Sequence, residues 1–183
     1  MGIILVTGGA RSGKSAFAEQ RAKEAGGTVG YIATAVSTDP DMADRIAKHR
    51  ASRPAEWATF EKTLGFAELT RDERFAQCDT LLLDCLTTLT ANHMMQSGLD
   101  FDTCALDAMQ ALEAQLTADV DNLLEAAAEK QLIIVTNEVG QGIVPAYRMG
   151  SLFRDMAGRL NIHVATCADE VICMISGLPL RLK

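Results

Sequence analysis

Apolar residues gather in short runs at 3–6, 28–33, 80–84, 132–135 and 170–175, each ending at a small, polar or acidic residue. Runs of this length, rich in Val, Ile and Leu, predict strands. Their near-continuous rather than alternating hydrophobicity predicts strands covered on both faces. Helical segments lie between them. Residues 15–25 are helix-prone and stop at Gly26-Gly27, and 41–53 should end before Pro54. Residues 86–97 close at Ser97-Gly98, and 147–163 carry a further helical pattern. Apolar positions 106, 109, 112, 116, 120, 123 and 124 draw one face of a long amphipathic helix. The charged stretch 62–76 is predicted helical and 57–61 extended. At the C-terminal end Leu178, Leu180 and Leu182 alternate with Pro179, Arg181 and Lys183 after a turn at Ser176-Gly177. That period of two predicts an antiparallel edge strand, which Pro and two cations suit. Strands separated by helices pair in parallel through right-handed crossovers, with helices on both faces. No flexible linker, repeat or low-complexity tract interrupts the pattern. The expectation is α/β: one three-layer domain over 1–183, with a mainly parallel sheet and a C-terminal antiparallel edge strand.

Charge narrows the function classes. Of 183 residues, 24 are acidic and 17 basic, a formal net charge of −7, and 48% are hydrophobic. That hydrophobicity excludes intrinsic disorder. The negative balance excludes a sequence-independent nucleic-acid binder, which needs a basic surface, but not a nucleotide substrate held in one local basic site. No apolar run approaches the roughly 18–20 residues of a membrane span, and no secretory signal pattern opens the chain. Five cysteines, an odd number without a CxxC pair, argue against a disulfide framework or zinc site. They read as small buried hydrophobes in a reducing cytoplasm.

Gly8, Gly9, Ala10, Arg11, Ser12, Gly13, Lys14 and Ser15 fit G-x-x-x-x-G-K-[ST] without a gap. A strand before and a helix after supply the context of a P-loop NTPase-like fold. Glycines let the backbone wrap phosphate oxygens, and amides at the helix start complete an anion hole. Lys14 can reach the β/γ-phosphates, and the Ser15 hydroxyl can ligate Mg²⁺. A second acid must orient that cation. Asp84, after the apolar run Thr80-Leu81-Leu82-Leu83, is placed as a Walker B acid is; a turn residue or helix N-cap is the lesser alternative. Glu138, after the fourth strand, is a weaker candidate for the same role.

The densest positive patch in this acidic chain is Arg45, Lys48, His49, Arg50 and Arg53. On a helix, Arg45, His49 and Arg53 share one face. Two readings fit: a solvated basic helix face, or a triphosphate clamp around an imidazole that neighbouring cations keep neutral and nucleophilic. His93 and His163 lie among helical residues without cationic neighbours and read as structural.

Taken together, GGARSGKS, YIAT, MADRIAKHRASRP, the 57–61 segment, LLLDCLTTL, VTNEVGQGIVP, FRDMAGRLN and the C-terminal SGLPLRLK resemble the bifunctional adenosylcobinamide kinase / adenosylcobinamide-phosphate guanylyltransferase family of cobalamin biosynthesis. The resemblance runs from the first strand to the last residues. It implies a P-loop α/β domain in a homotrimer. It implies two reactions: phosphorylation of adenosylcobinamide by ATP or GTP, and transfer of GMP from GTP through a guanylyl-histidine. By position that histidine is His49. The nucleotide-contacting segments fall on Gly8 to Ser15, on Thr34, Ala35 and Val36, on Arg50, Ala51, Ser52 and Arg53, and on Glu61 and Asp84. Ser15 and Asp84 are the implied Mg²⁺ ligands. Some members carry two adjacent histidines where this chain has Lys48-His49, and some carry Glu where it has Asp84. A P-loop kinase without guanylylation, and a non-catalytic nucleotide-dependent regulator, are the alternatives. Neither accounts for HRASRP and NEVGQGIVP occurring beside the P-loop.

Overall fold

The computed structural model describes residues 2–35, 43, 44, 47, 50, 51 and 53–183. A strand with no polar side to show must be covered twice, and the central strands are. The register of β1 (Gly2–Gly8), β2 (Val29–Ala33), β4 (Thr80–Asp84) and β5 (Gln131–Val135) sends alternate residues to opposite faces. Leu5, Ile32, Leu81, Leu83, Leu132 and Ile134 form one apolar layer. Ile4, Val6, Tyr31, Leu82, Ile133 and Val135 form the other.

The first layer is covered by α3 (Leu86–Gln96), α4 (Leu106–Ala126) and α5 (Arg148–Cys167), through residues such as Leu89, Leu116, Val120 and Leu160. The second receives α1 (Lys14–Ala25) through Ala18 and Ala22. Truncating a fully enclosed side chain such as Leu83 to alanine would cost about 2–5 kcal/mol. With β3 (Ala58–Glu61), β6 (Glu170–Ile175) and β7 (Leu178–Arg181) the sheet has seven strands in the order β3-β2-β4-β5-β1-β6-β7. Every pairing is parallel except β6 with β7. The expected three-layer α/β architecture with an antiparallel C-terminal edge is present.

Three expectations shift. The stretch 62–76 is not one helix. It is a 3-10 segment, Phe66–Arg71, followed by the single turn α2 (Glu73–Ala76). Gly65 adopts φ 72°, and the Asp119 carboxylate takes the Gly65 and Phe66 amides, so the helix cannot begin earlier. Asp72 then breaks the run and caps α2 by accepting from the Arg74 amide. Second, α5 continues four residues past 163, to Cys167. Third, the five cysteines are free, but only Cys78 is fully buried; Cys85, Cys104 and Cys173 are half-buried and Cys167 is exposed at the end of α5. Of the helix expected over 41–53, residues 43, 44, 47, 50 and 51 are helical; the remainder of 41–49, with Ser52, lies outside the described residues, and Arg53 is in a bend. No described helix is long and apolar enough to cross a membrane.

Candidate active site

Parallel pairing puts the C-terminal ends of β1 to β6 along one edge of the sheet, the edge where open α/β sheets take ligands. The loop from Gly9 to Gly13 leaves β1 there. Gly8 turns at φ 142°, and a Cβ on it would stand 2.5 Å from the Met174 carbonyl oxygen. Gly13, at φ 94°, starts α1 without any side-chain cap, and no acid lies in the first turn. The first amides of α1 therefore remain donors for an anion. The loop is braced from outside by the β6–β7 turn, where the Gly177 amide donates to the Ser12 carbonyl at 3.0 Å. Lys14, 6% exposed, bends back and donates to the Gly9 carbonyl at 2.5 Å. Burial lowers its pKa, against the raising influence of Cys85, Asp84 and Cys173. Ser15 is half-buried in the first turn of α1.

Asp84 ends β4 on the α1 face, in register with Ala33 of β2. It does not cap α3, whose N-cap is Cys85 without a side-chain bond. One of its oxygens, Oδ2, accepts from the Tyr31 hydroxyl at 2.9 Å. Burial, then the Asp84 charge, push the Tyr31 pKa far up, so the phenol is a neutral donor. Among the described residues no group of three or more His, Cys, Asp or Glu side chains could hold a metal. A lone carboxylate and a serine hydroxyl instead match Mg²⁺, which keeps waters and phosphate oxygens for most of its shell.

Glu138 lies beyond β5, between the β1 and β4 ends. Its Oε1 accepts from Thr7 Oγ1 at 2.6 Å and from Asn161 Nδ2 at 3.4 Å, and its amide donates to the Gly8 carbonyl. Thr34 is fully buried. Its hydroxyl bonds the Cys85 carbonyl at 2.9 Å and accepts from the Cys85 amide, stitching the end of β2 to that of β4. Ala35 follows it, half-buried; Val36 lies outside the described residues.

The Arg53 guanidinium lies 3.4 Å from the centroid of the Tyr31 ring. Arg50 pairs with Glu61 at 3.5 Å on the exposed rim, and Ala51 is exposed beside it. His49, Arg45, Lys48 and Ser52 lie outside the described residues. The structure thus brings the P-loop, Asp84, Glu138 and Arg53 to one edge of the sheet. His93 and His163 sit elsewhere, bonded to Asp119 at 3.1 Å and Asp121 at 2.7 Å on α4. Tyr31, Thr7 and Asn161 were not singled out from sequence. The available signal for Tyr31 was a polar-tipped aromatic inside a buried strand, whose hydroxyl needs a partner.

The family model for cobinamide kinase / cobinamide phosphate guanyltransferase matches residues 4–182. The bifunctional adenosylcobalamin biosynthesis protein CobU of Escherichia coli is 40% identical over 183 residues, spanning 99% of each chain. CobP of Pseudomonas aeruginosa, named for the same bifunctional role, is 41% identical over 98% of this chain and 96% of its own. In fold, the chain is similar to a prototypical ATPase from the type III secretion system of pathogenic bacteria. That likeness has TM-score 0.55 at 12% identity and covers 94% of this chain and 50% of the ATPase.

Proposed function

The chain belongs to the cobinamide kinase / cobinamide phosphate guanyltransferase family, and on that footing we propose how its residues divide the two reactions. It is a bifunctional enzyme of cobalamin biosynthesis. The observation that carries the assignment is the shared edge, where a glycine loop with a buried lysine, an acid at a neighbouring strand end and an arginine from the basic segment converge.

In the kinase step the hydroxyl of adenosylcobinamide attacks the γ-phosphorus of ATP or GTP; a P–O bond forms as the bond to the β-phosphate oxygen breaks, ADP or GDP leaves, and the hydroxyl proton passes to solvent. The P-loop amides and Lys14 hold the β- and γ-phosphates in line and offset the charge on the transferring group. Mg²⁺, held by Ser15 and Asp84, would neutralise phosphate charge when bound. In the second reaction the neutral His49 imidazole attacks the α-phosphorus of GTP. A P–N bond forms as the bond to pyrophosphate breaks. The phosphate of the phosphorylated cobinamide then attacks the same phosphorus, frees His49 and yields adenosyl-GDP-cobinamide. Splitting one displacement into two is the gain of covalent catalysis. Arg50 and Arg53 clamp the triphosphate, and Thr34 to Val36, Ala51, Ser52 and Glu61 border it. The protein works in the cytoplasm as a homotrimer, with no nucleic-acid partner.

Incubation with labelled GTP and Mg²⁺ should leave an acid-labile, alkali-stable GMP adduct that peptide mapping places on His49. Undiminished labelling of His49→Ala would refute the histidine assignment. Lys14→Ala should slow phosphorylation of cobinamide by about a hundredfold or more. A normal rate would remove the P-loop from the mechanism.

A further inference from the structure

Tyr31 touches both halves of this site. It is 3% exposed in the layer beneath α1, and its hydroxyl reaches across from β2 to the carboxylate that ends β4. A buried phenol needs an acceptor, and here that acceptor is the one acid at the β4 end. The bond engages Oδ2 of Asp84 and restrains how the carboxylate turns. Among the described residues no other side chain bonds Asp84, which leaves Oδ1 for a cation. The ring contributes separately. Its face lies under the Arg53 guanidinium at 3.4 Å, close enough for stacking and cation–π attraction. Arg53 Nε is buried and has no hydrogen-bond partner among the described residues. What seats that end of the guanidinium is therefore the ring rather than a hydrogen bond.

We propose that Tyr31 is a positioning residue with two separable actions: its hydroxyl orients Asp84 toward the nucleotide-bound cation, and its ring seats Arg53 at the basic segment. The inference rests on the reading of Asp84 and Arg53 given above. The hydroxyl serves the P-loop half of the site and the ring serves the guanylylation half. Removing the hydroxyl alone and removing the whole ring should therefore give different defects.

The test compares Tyr31→Phe, Tyr31→Leu and Asp84→Asn with the unmodified protein. The first readout requires no turnover: calorimetric binding of a GTP analogue with a methylene bridge between the α- and β-phosphorus, titrated across Mg²⁺ concentration. Tyr31→Phe should raise the Mg²⁺ midpoint about tenfold, as loss of an outer partner of a metal ligand does, with affinity for the analogue in EDTA unchanged. The second readout is the rate of GMP labelling at saturating Mg²⁺. Tyr31→Phe, which keeps the ring, should label at the normal rate, while Tyr31→Leu should label about a hundredfold more slowly. Thermal melts of each variant separate misfolding from mispositioning, because a Tyr31→Phe protein that melts normally can move its Mg²⁺ midpoint only through Asp84. A normal midpoint in Tyr31→Phe beside a raised one in Asp84→Asn would overturn the hydroxyl's role while leaving Asp84 a metal ligand. A normal midpoint in both would refute the metal reading of Asp84 itself, and this inference with it. Equal labelling by the Phe and Leu variants would overturn the role of the ring.

Discussion

Single atoms decide whether the phosphate loop closes. Gly8 and Gly9 are adjacent and chemically identical, yet their surroundings differ. At Gly8 the backbone sits at φ 142° and an added Cβ would meet the Met174 carbonyl oxygen at 2.5 Å, which is backbone and cannot swing aside. At Gly9 nothing lies within 4 Å and φ is ordinary. Gly8→Ala should therefore destabilise the protein by about 1–3 kcal/mol and pull the loop from the β6–β7 turn that braces it. Gly9→Ala should change stability by no more than about 0.5 kcal/mol. Thermal melts of the two variants check the contrast; equal melting temperatures would show that the β1 exit tolerates a side chain. The motif spacing made both glycines legible as loop residues. It could not rank them, because the atom that decides, on Met174, lies more than a hundred and sixty positions away.

At the scale of elements, Asp119 shows how α4 fixes a segment that the charge pattern described wrongly. Its carboxylate is 7% exposed and accepts from the Phe66 amide at 2.6 Å, the Gly65 amide at 2.8 Å and His93 Nε2 at 3.1 Å. Burial alone would raise its pKa, but the His93 bond and the two amides outweigh it and hold the carboxyl below its usual value. A depressed folded pKa means that folding favours the ionised form. The stabilisation is full above the unfolded value of about 3.9 and is lost as pH falls through the folded value. Asp119→Asn should cost about 1–3 kcal/mol near neutral pH, a gap that narrows below about pH 4. Denaturant titrations of both proteins across pH 2.5–7 measure it, and a pH-independent gap would assign the cost to packing. The same contacts explain what was legible. The period of α4 was readable because its buried face includes Met109, Leu112, Leu116, Val120 and Leu123. Asp119 shares that face, and a carboxylate inside an apolar stripe is silent about its partners. Those partners sit in an irregular segment whose path depends on it, so 62–76 read as helix from composition and folds as two short turns.

At the scale of the whole molecule, the strand order could not be read from the pattern that revealed the strands, because periodicity says nothing about which neighbours pair. Only the order β2-β4-β5-β1 sets Asp84 two strands from the P-loop, with Glu138 between them. The resemblance carried by HRASRP and NEVGQGIVP implies one nucleotide site for the P-loop and Asp84, while Glu138 is legible only as a weaker candidate by its place after the fourth strand. The same order bears on stability. The outermost strand β3 is joined to the rest only through β2, and β2 shares its other edge with β4, so the sheet is one uninterrupted ladder. Both faces are packed along it, with Trp57 against the layer beneath α1 and the long helices against the other. Two apolar layers that share every central strand of one sheet should unfold as one unit. Trp57, the one tryptophan, reports the β3 edge, whereas far-UV circular dichroism is dominated by α4 and α5 on the opposite face. The denaturant transitions seen by tryptophan fluorescence and by circular dichroism should therefore coincide in midpoint and slope. A fluorescence transition at lower denaturant would mean that β3 and the neighbouring basic segment open independently of the core, and that residues 1–183 do not behave as a single cooperative domain.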